Sequence, residues 1–160
     1  MSDINTVDLR GFISSAMNEV FDTMLSMNID LADEDVQADV DGERIVGSVG
    51  FAGKAVGSVS IQVNEAFARE ITAAMLGMEE DEIEGDEEVH DVVGELSNMV
   101  GGDLKSRLCD EGLNCDLTIP SITRGSDFKT ETKGWERHES LVFRHQEQFA
   151  LVNVYVKRNG

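Results

Sequence analysis

The chain has 160 residues, of which 32 are acidic and 13 are basic, for a formal net charge of -19. This length suits one domain with a substantial hydrophobic core, so we expect a single domain over residues 1–160. The negative charge argues against nucleic acid or an anionic membrane as a partner, because both bind cationic surfaces.

The expected location follows from targeting signals and cysteine content. The sequence contains no run of about 18 apolar residues, and its N-terminus lacks a basic segment followed by an apolar one. Cys109 and Cys115 are the two cysteines, and a pair without a wider disulfide framework is typical of reduced proteins. We therefore expect a cytoplasmic protein without a transmembrane segment.

The first third of the chain shows helical and then extended periodicity. Apolar residues recur at helical spacing over Leu9–Leu25, which predicts a long amphipathic helix with Asn5 or Thr6 as its N-cap. Residues 29–42 are polar and acidic. Period-two alternation in two runs within 44–63 then predicts a β-hairpin.

A second helix and an acidic stretch come next. Asn64 is a suitable N-cap, and Gly77 a suitable C-terminal stop, for a helix between them. Residues 78–88 include eight acidic side chains and predict a solvated loop that leads into the next helix. A calcium-binding loop is the alternative, but the stretch lacks the ligand spacing of that motif.

The remaining elements predict the fold class. A third helix is expected from about Glu87 to Cys109, with Gly112 as its terminator, and two final strands at Glu139–His145 and Gln148–Lys157 after a polar loop over 124–138. No strand–helix–strand repeat with short Gly-rich phosphate loops occurs, so we expect an α+β domain with a largely antiparallel sheet covered by long helices. The strongly alternating last strand would need pairing or protection at an edge.

One further strand, over Cys115–Thr123, follows the third helix. Its alternation puts Leu117 and Ile119 on one side. Pro120, the only proline, cannot donate to a sheet ladder, so it marks a strand edge or a bend.

The most informative feature is a polar face on the third helix. At about 100° per residue, four residues fall within roughly 60° of arc, opposite the apolar side. They are Asp91, Glu95, Asn98 and Gly102. An acid, an amide and a bare backbone patch thus share one outward face.

Three glycines, Gly94, Gly101 and Gly102, are expected on or beside this face. Each costs about 1 kcal/mol of helix propensity relative to alanine. The glycines therefore serve either tight packing against a neighbouring element or the close approach of a partner. Our candidates for partner contact are Asp91, Gly101 and Gly102.

The residues and motifs of this sequence argue against several enzyme classes. His90, His138 and His145 are scattered, and no His/Cys cluster has zinc-ligand spacing. Nucleophile-elbow and phosphate-loop motifs do not occur. Asp91 and Glu95 resemble an acid–base pair, but an exposed face without flanking aromatics does not favour a glycosidase. We expect neither a metal nor a cofactor of the protein's own.

The carboxamide of Asn98 is the distinctive group, because it has donor and acceptor atoms that can orient a water molecule. Phosphoryl hydrolysis depends mainly on such positioning and on charge stabilisation. The chain lacks a cationic phosphate cradle, so the charged machinery must come from the substrate. A phosphorylated receiver domain, which holds its own metal and lysine, meets this requirement.

The pattern Asp91-x3-Glu95-x2-Asn98 followed by Gly-Gly resembles the active-site helix of the CheC/CheX/FliY family of chemotaxis phosphatases, in its single-site CheX-like branch. The resemblance implies that Glu95 docks on the lysine of a phosphorylated CheY-like receiver, that Asn98 positions the attacking water and that Mg²⁺ is held by the receiver. It also implies a homodimer. Asp91 occupies the family's Asp-or-Ser position, and Pro120 lies at about the family's distance beyond the Asn.

Two alternatives remain open at this point. A non-catalytic receiver-binding protein, or an interaction module like the flagellar switch proteins that share this fold, would look similar overall but would not require the Glu-x-x-Asn pair. Glu95 and Asn98 could also be ordinary solvated residues. No second copy of the motif is found: Asn18, in the first helix, follows Ser15 at the position that corresponds to Glu95.

Overall fold

The computed structural model describes residues 4–32, 43–125 and 134–159. The helices are α1 (Leu9–Leu25), α2 (Glu65–Leu76) and α3 (Asp86–Asp110), with a 3-10 turn at Glu80–Glu82. The strands are β1 (Asp30–Leu31), β2 (Arg44–Gly53), β3 (Ala55–Asn64), β4 (Cys115–Leu117), β5 (Ser121–Gly125), β6 (Arg137–His145) and β7 (Gln148–Arg158).

The described strands form one antiparallel sheet in the order β1-β6-β7-β3-β2, and β4 and β5 pair one after the other along the remaining edge of β2. The helices pack against the sheet, and the core lies between the two layers. Phe21 of α1, Phe67 of α2 and Phe143 of β6 are fully buried there. The predicted α+β class with an antiparallel sheet covered by helices is confirmed. Among the described residues, no helix is long and apolar enough to cross a membrane.

The ends of the helices reflect local chemistry. Asn64 caps α2 by accepting a hydrogen bond from the backbone N–H of Phe67 at 2.7 Å, and Gly77 ends that helix with φ 66°, both as predicted. For α1 the predicted cap at Asn5 or Thr6 is wrong. Asp8 is the cap, because its carboxylate reaches an N–H of the first turn.

The predicted single strand over 115–123 is interrupted. Leu117 lies opposite Phe51, and Ser121 lies opposite Ser48, so three residues on this side face two on β2. The extra residue is a β-bulge, which accommodates a proline that cannot donate to the ladder. We call residues 118–120 the bulge segment.

The bulge also decides which side chains face α3. Because one extra residue shifts the alternation, Leu117 and Ile122 both pack toward the helix, whereas Ile119 is 89% exposed. The prediction that Leu117 and Ile119 share a side is therefore wrong.

Two other expectations also change. Strand β7 lies between β3 and β6, so the last strand is in the interior of the sheet and not at an edge. The polar stretch over 29–42 includes the short strand β1, which pairs with β6. Residues 33–42 of that stretch, and 126–133 of the predicted loop over 124–138, lie outside the described residues.

Candidate functional site

Helix α3 lies over β2, β4 and β5, and it buries one side completely. Val93, Leu96 and Val100 have no exposed surface. On the outward side, Asp91 and Glu95 are exposed. Thus the two carboxylates are exposed to solvent, and the helix that carries them is held in place by its buried side.

Asn98 and Gly102 are half-buried, and they continue the outward face toward the C-terminal end of α3. Among the described residues, the side chains of Asp91, Glu95 and Asn98 form no hydrogen bond or ion pair. Since an amide and two carboxylates offer several donor and acceptor sites, the face can engage groups from outside the chain.

The three glycines of α3 have different surroundings. A Cβ at Gly94 would lie 3.4 Å from Ile122 Cδ1, and one at Gly101 would overlap the side chain of Val49 on β2. Both residues are buried. The expectation that Gly101 lies on or beside the outward face is wrong: it permits close packing of the helix on the sheet. Gly102 has space, with Leu117 Cδ1 3.8 Å from the position of a Cβ.

Close packing also occurs one turn earlier in α3. A Cβ at Gly47 of β2 would overlap Ser97 Oγ, and the buried Ser97 hydroxyl donates to the Val93 carbonyl at 2.9 Å. Gly101 and Ser97 therefore bring α3 against β2 on either side of Asn98 in the sequence. The backbone that carries Asn98 is held by these contacts, as a site that positions a small molecule requires.

The bulge segment borders the face. Gly94, Asn98 and Gly102 follow one another at intervals of four residues, so they form one row along α3. A Cβ at the first of them would lie 3.4 Å from Ile122 and 4.0 Å from Pro120, and a Cβ at the last would lie 3.8 Å from Leu117. Asn98 therefore lies opposite the bulge segment. The sequence analysis did not predict that residues 118–120 lie beside this face, although Pro120 indicated an interruption of the strand there.

The basic residues along α3 are paired with carboxylates. Arg124 of β5 binds Glu43 at 3.1 Å and also Glu65, and its guanidinium lies 3.8 Å from Asp86. Lys105 Nζ lies 3.6 Å from Asp116. These cations are neutralised, so they do not form a phosphate-binding cluster beside Asn98.

A metal site does not emerge from the described residues, because no group of three or more His, Cys, Asp or Glu side chains is arranged to hold an ion. A groove of about 690 Å³ lies beside the C-terminal part of α1 and Arg107 and includes none of the predicted site residues. Nearby, the pKa of Glu19 is raised by its hydrogen bond and charge interaction with Asp103. Asp91 and Glu95 are thus exposed on α3 and do not line this groove.

Comparison with known proteins gives consistent results. The family model described as "Chemotaxis phosphatase CheX" matches residues 45–144, which include all of α3, β4 and β5. The CheY-P phosphatase CheX of Thermotoga maritima is 32% identical over 117 residues, covering 72% of this chain and 74% of that protein.

Solved structures extend the similarity to almost the whole chain. The chemotaxis protein CheX of Vibrio vulnificus is 26% identical, with a TM-score of 0.79 over 98% of this chain and 100% of that one. The CheX of Borrelia burgdorferi, solved as a CheX–CheY–BeF₃–Mg²⁺ complex, shares the fold at 23% identity, with a TM-score of 0.74 over 95% of this chain and 99% of that one.

Proposed function

The chain belongs to the CheX family of chemotaxis phosphatases, and on that premise we propose that it hydrolyses the aspartyl phosphate of a CheY-like receiver domain in the cytoplasm. The observation that carries the proposal is the pair Glu95 and Asn98. Their side chains are one turn apart on a packed helix and form no hydrogen bond or ion pair with the described part of the chain.

Asn98 positions the attacking water. Its carboxamide accepts a hydrogen bond from the water and donates another to an oxygen nearby, and so aligns the water with the phosphorus atom. Water attack breaks the bond between phosphorus and the aspartyl oxygen, and it releases inorganic phosphate and the free carboxylate. The amide is effective because its helix is fixed, so little freedom is lost when the partner binds.

Glu95 docks on the receiver. An exposed carboxylate with no ion-pair partner among the described residues suits a charge-assisted hydrogen bond with the lysine of a receiver active site. Asp91 lies one turn before it on the same face. Because Gly102 has no side chain, nothing protrudes at that position of the face, and the partner backbone can approach Asn98.

The receiver supplies the positive charge for the reaction. The basic residues along α3 are already neutralised, as shown by Arg124 and Lys105. We therefore assign the Mg²⁺ and the lysine that stabilise the phosphoryl group to the receiver. The Borrelia relative was solved in a complex with CheY, BeF₃ and Mg²⁺, which supports a CheY-like protein as the partner.

Turnover is the experiment that separates this proposal from a non-catalytic binding module. A trace amount of the protein is mixed with an excess of phosphorylated receiver and Mg²⁺, and phosphate release is followed. We expect many phosphates per protein molecule. Release that stays at the receiver's own rate, while the two proteins bind, would instead identify a sequestering module.

We also propose a homodimer, as the resemblance implies. The edge-strand argument for it no longer applies, since β7 is internal to the sheet. Light scattering tests the proposal directly: a dimer has twice the 17.5 kDa mass of the chain, and a mass near 17.5 kDa at working concentration would refute it.

A further inference from the structure

Ile119 is the most exposed large apolar residue of the described chain. It is 89% exposed, whereas Met24, Leu31 and Leu76 are 46–48% exposed. Single apolar residues at a surface are common and need no explanation by themselves. The surroundings of Ile119 are what distinguish it.

The bulge segment holds Ile119 in a defined position. The backbone N–H of Thr118 donates to the Gly50 carbonyl at 2.9 Å, and its hydroxyl accepts from the Gly50 N–H at 2.8 Å. On the other side Pro120 follows, and a residue before proline is restricted to extended conformations. Pairing resumes at once, with Ser121 opposite Ser48. Three successive restraints thus fix the backbone at Ile119.

The bulge is also the reason that Ile119 points away from the core. In an uninterrupted strand Ile119 would share the side of Leu117, against α3. Because of the extra residue, it is Ile122 that lies opposite Gly47 and packs toward the helix, 3.4 Å from the Cβ position of Gly94, while Ile119 falls within the bulge. An isoleucine that could have been buried is therefore exposed beside the row that contains Asn98.

We propose that Ile119 is an apolar anchor for the receiver: it inserts into an apolar recess beside the receiver's phosphorylation site while Glu95 and Asn98 enter the site itself. The inference rests on the proposed function, because it names a contact of the same interface. An apolar side chain on a fixed backbone loses less conformational entropy on binding than one on a mobile loop, and buried apolar anchors contribute strongly to affinity.

An apolar anchor also suits the charge of this protein. With a net charge of -19, the chain is repelled by any acidic partner surface, and salt screens both that repulsion and the attraction made by Glu95. Burial of Ile119 does not depend on charge. It therefore adds affinity and specificity that persist at high ionic strength.

Substitution of Ile119 by serine tests the inference. Binding to a beryllofluoride-activated receiver is measured by calorimetry at low and at high salt, and hydrolysis is measured on the phosphorylated receiver. For Ile119→Ser we expect the Kd and the KM to rise about 10- to 100-fold, with kcat unchanged, because full burial of an isoleucine is lost. Ile119→Met should retain most of the affinity.

The matched control is Leu76→Ser, at the end of α2, which removes an exposed aliphatic side chain elsewhere. It should leave the Kd unchanged, and both serine variants should unfold at the wild-type urea midpoint. Unchanged Kd and KM for Ile119→Ser would overturn the anchor and leave the catalytic proposal intact. A loss of affinity in Ile119→Ser that coincides with an altered mass of the variant in light scattering would also overturn the anchor. A wild-type protein that binds the receiver without turnover would refute the catalysis, and the Ile119 contact would still be measured through Kd.

Discussion

The sharpest prediction concerns Asn98→Ala, for which stability and activity should respond in different ways. Asn98 is half-buried, and its side chain has no hydrogen-bond partner among the described residues, so truncation breaks no described polar contact. Alanine is also the better helix former, by up to about 0.7 kcal/mol. We therefore expect the free energy of unfolding to stay within about 1 kcal/mol of wild type.

The effect on turnover should be much larger. If the carboxamide orients the attacking water, its loss resembles the removal of one preorganised hydrogen-bonding group from an active site. Such losses lower kcat about 10²- to 10³-fold, which corresponds to about 2.7–4 kcal/mol of transition-state stabilisation. Affinity for the receiver should change little, because the role of Asn98 is proposed for the reacting water and not for docking.

Phosphate release at saturating phosphorylated receiver measures kcat, calorimetry with the beryllofluoride-activated receiver measures Kd, and urea unfolding measures stability. Asn18→Ala, which removes an exposed asparagine on α1, is the matched control and should have wild-type kcat. A folded Asn98→Ala protein with wild-type kcat would refute the water-positioning role. A protein with equally reduced kcat and stability would show that the residue is structural.

Three further predictions concern α3 and the residues packed beside it. Gly101→Leu should destabilise the protein by about 1–3 kcal/mol in urea unfolding, because its Cβ would overlap Val49. Gly102→Leu has room, so it should retain wild-type stability but weaken receiver binding, and unchanged binding would contradict the proposed close approach. Burial, with the neighbouring Cys109, raises the pKa of the Cys115 thiol to about 11. In a Cys109→Ser variant burial still raises this pKa, so at pH 8 Cys115 should be alkylated by iodoacetamide more slowly in the folded protein than after unfolding, and comparable rates would disprove this.

The arrangement of α3 explains how a helix rich in glycine can hold a rigid site. Gly101 and the Gly47–Ser97 contact remove side-chain bulk between the helix and β2, so the two backbones approach closely. The propensity cost of the glycines, about 1 kcal/mol each, is offset by this packing. Asn98 is therefore carried by a helix that is packed against the sheet, and not by a flexible loop.

Periodicity in the sequence was sufficient for much of the fold. The β2–β3 hairpin, the Asn64 cap and the Gly77 stop were predicted correctly, because each depends on residues close together in the chain. The N-cap of α1 was wrong because several polar residues precede that helix. Only the geometry of the first turn selects Asp8 among them.

The polar face of α3 was likewise visible in the sequence, since helical spacing alone determines that Asp91, Glu95 and Asn98 share a side. Helical spacing does not predict which residues of the sheet pack against the rest of the helix. Gly101 and Gly102 are adjacent in the chain, yet one contacts Val49 and the other remains open. The difference depends on the position of β2, which is some fifty residues away.

The tertiary structure also decided the position of Ile119 and the internal location of β7. Alternation predicts which residues of a strand share a side, but only the register with β2 reveals the extra residue that exposes Ile119. Strand order likewise depends on pairings between distant segments, and local pattern does not encode these. The sequence alone therefore determined which groups α3 presents, and the packing of the sheet determined how they are held and what lies beside them.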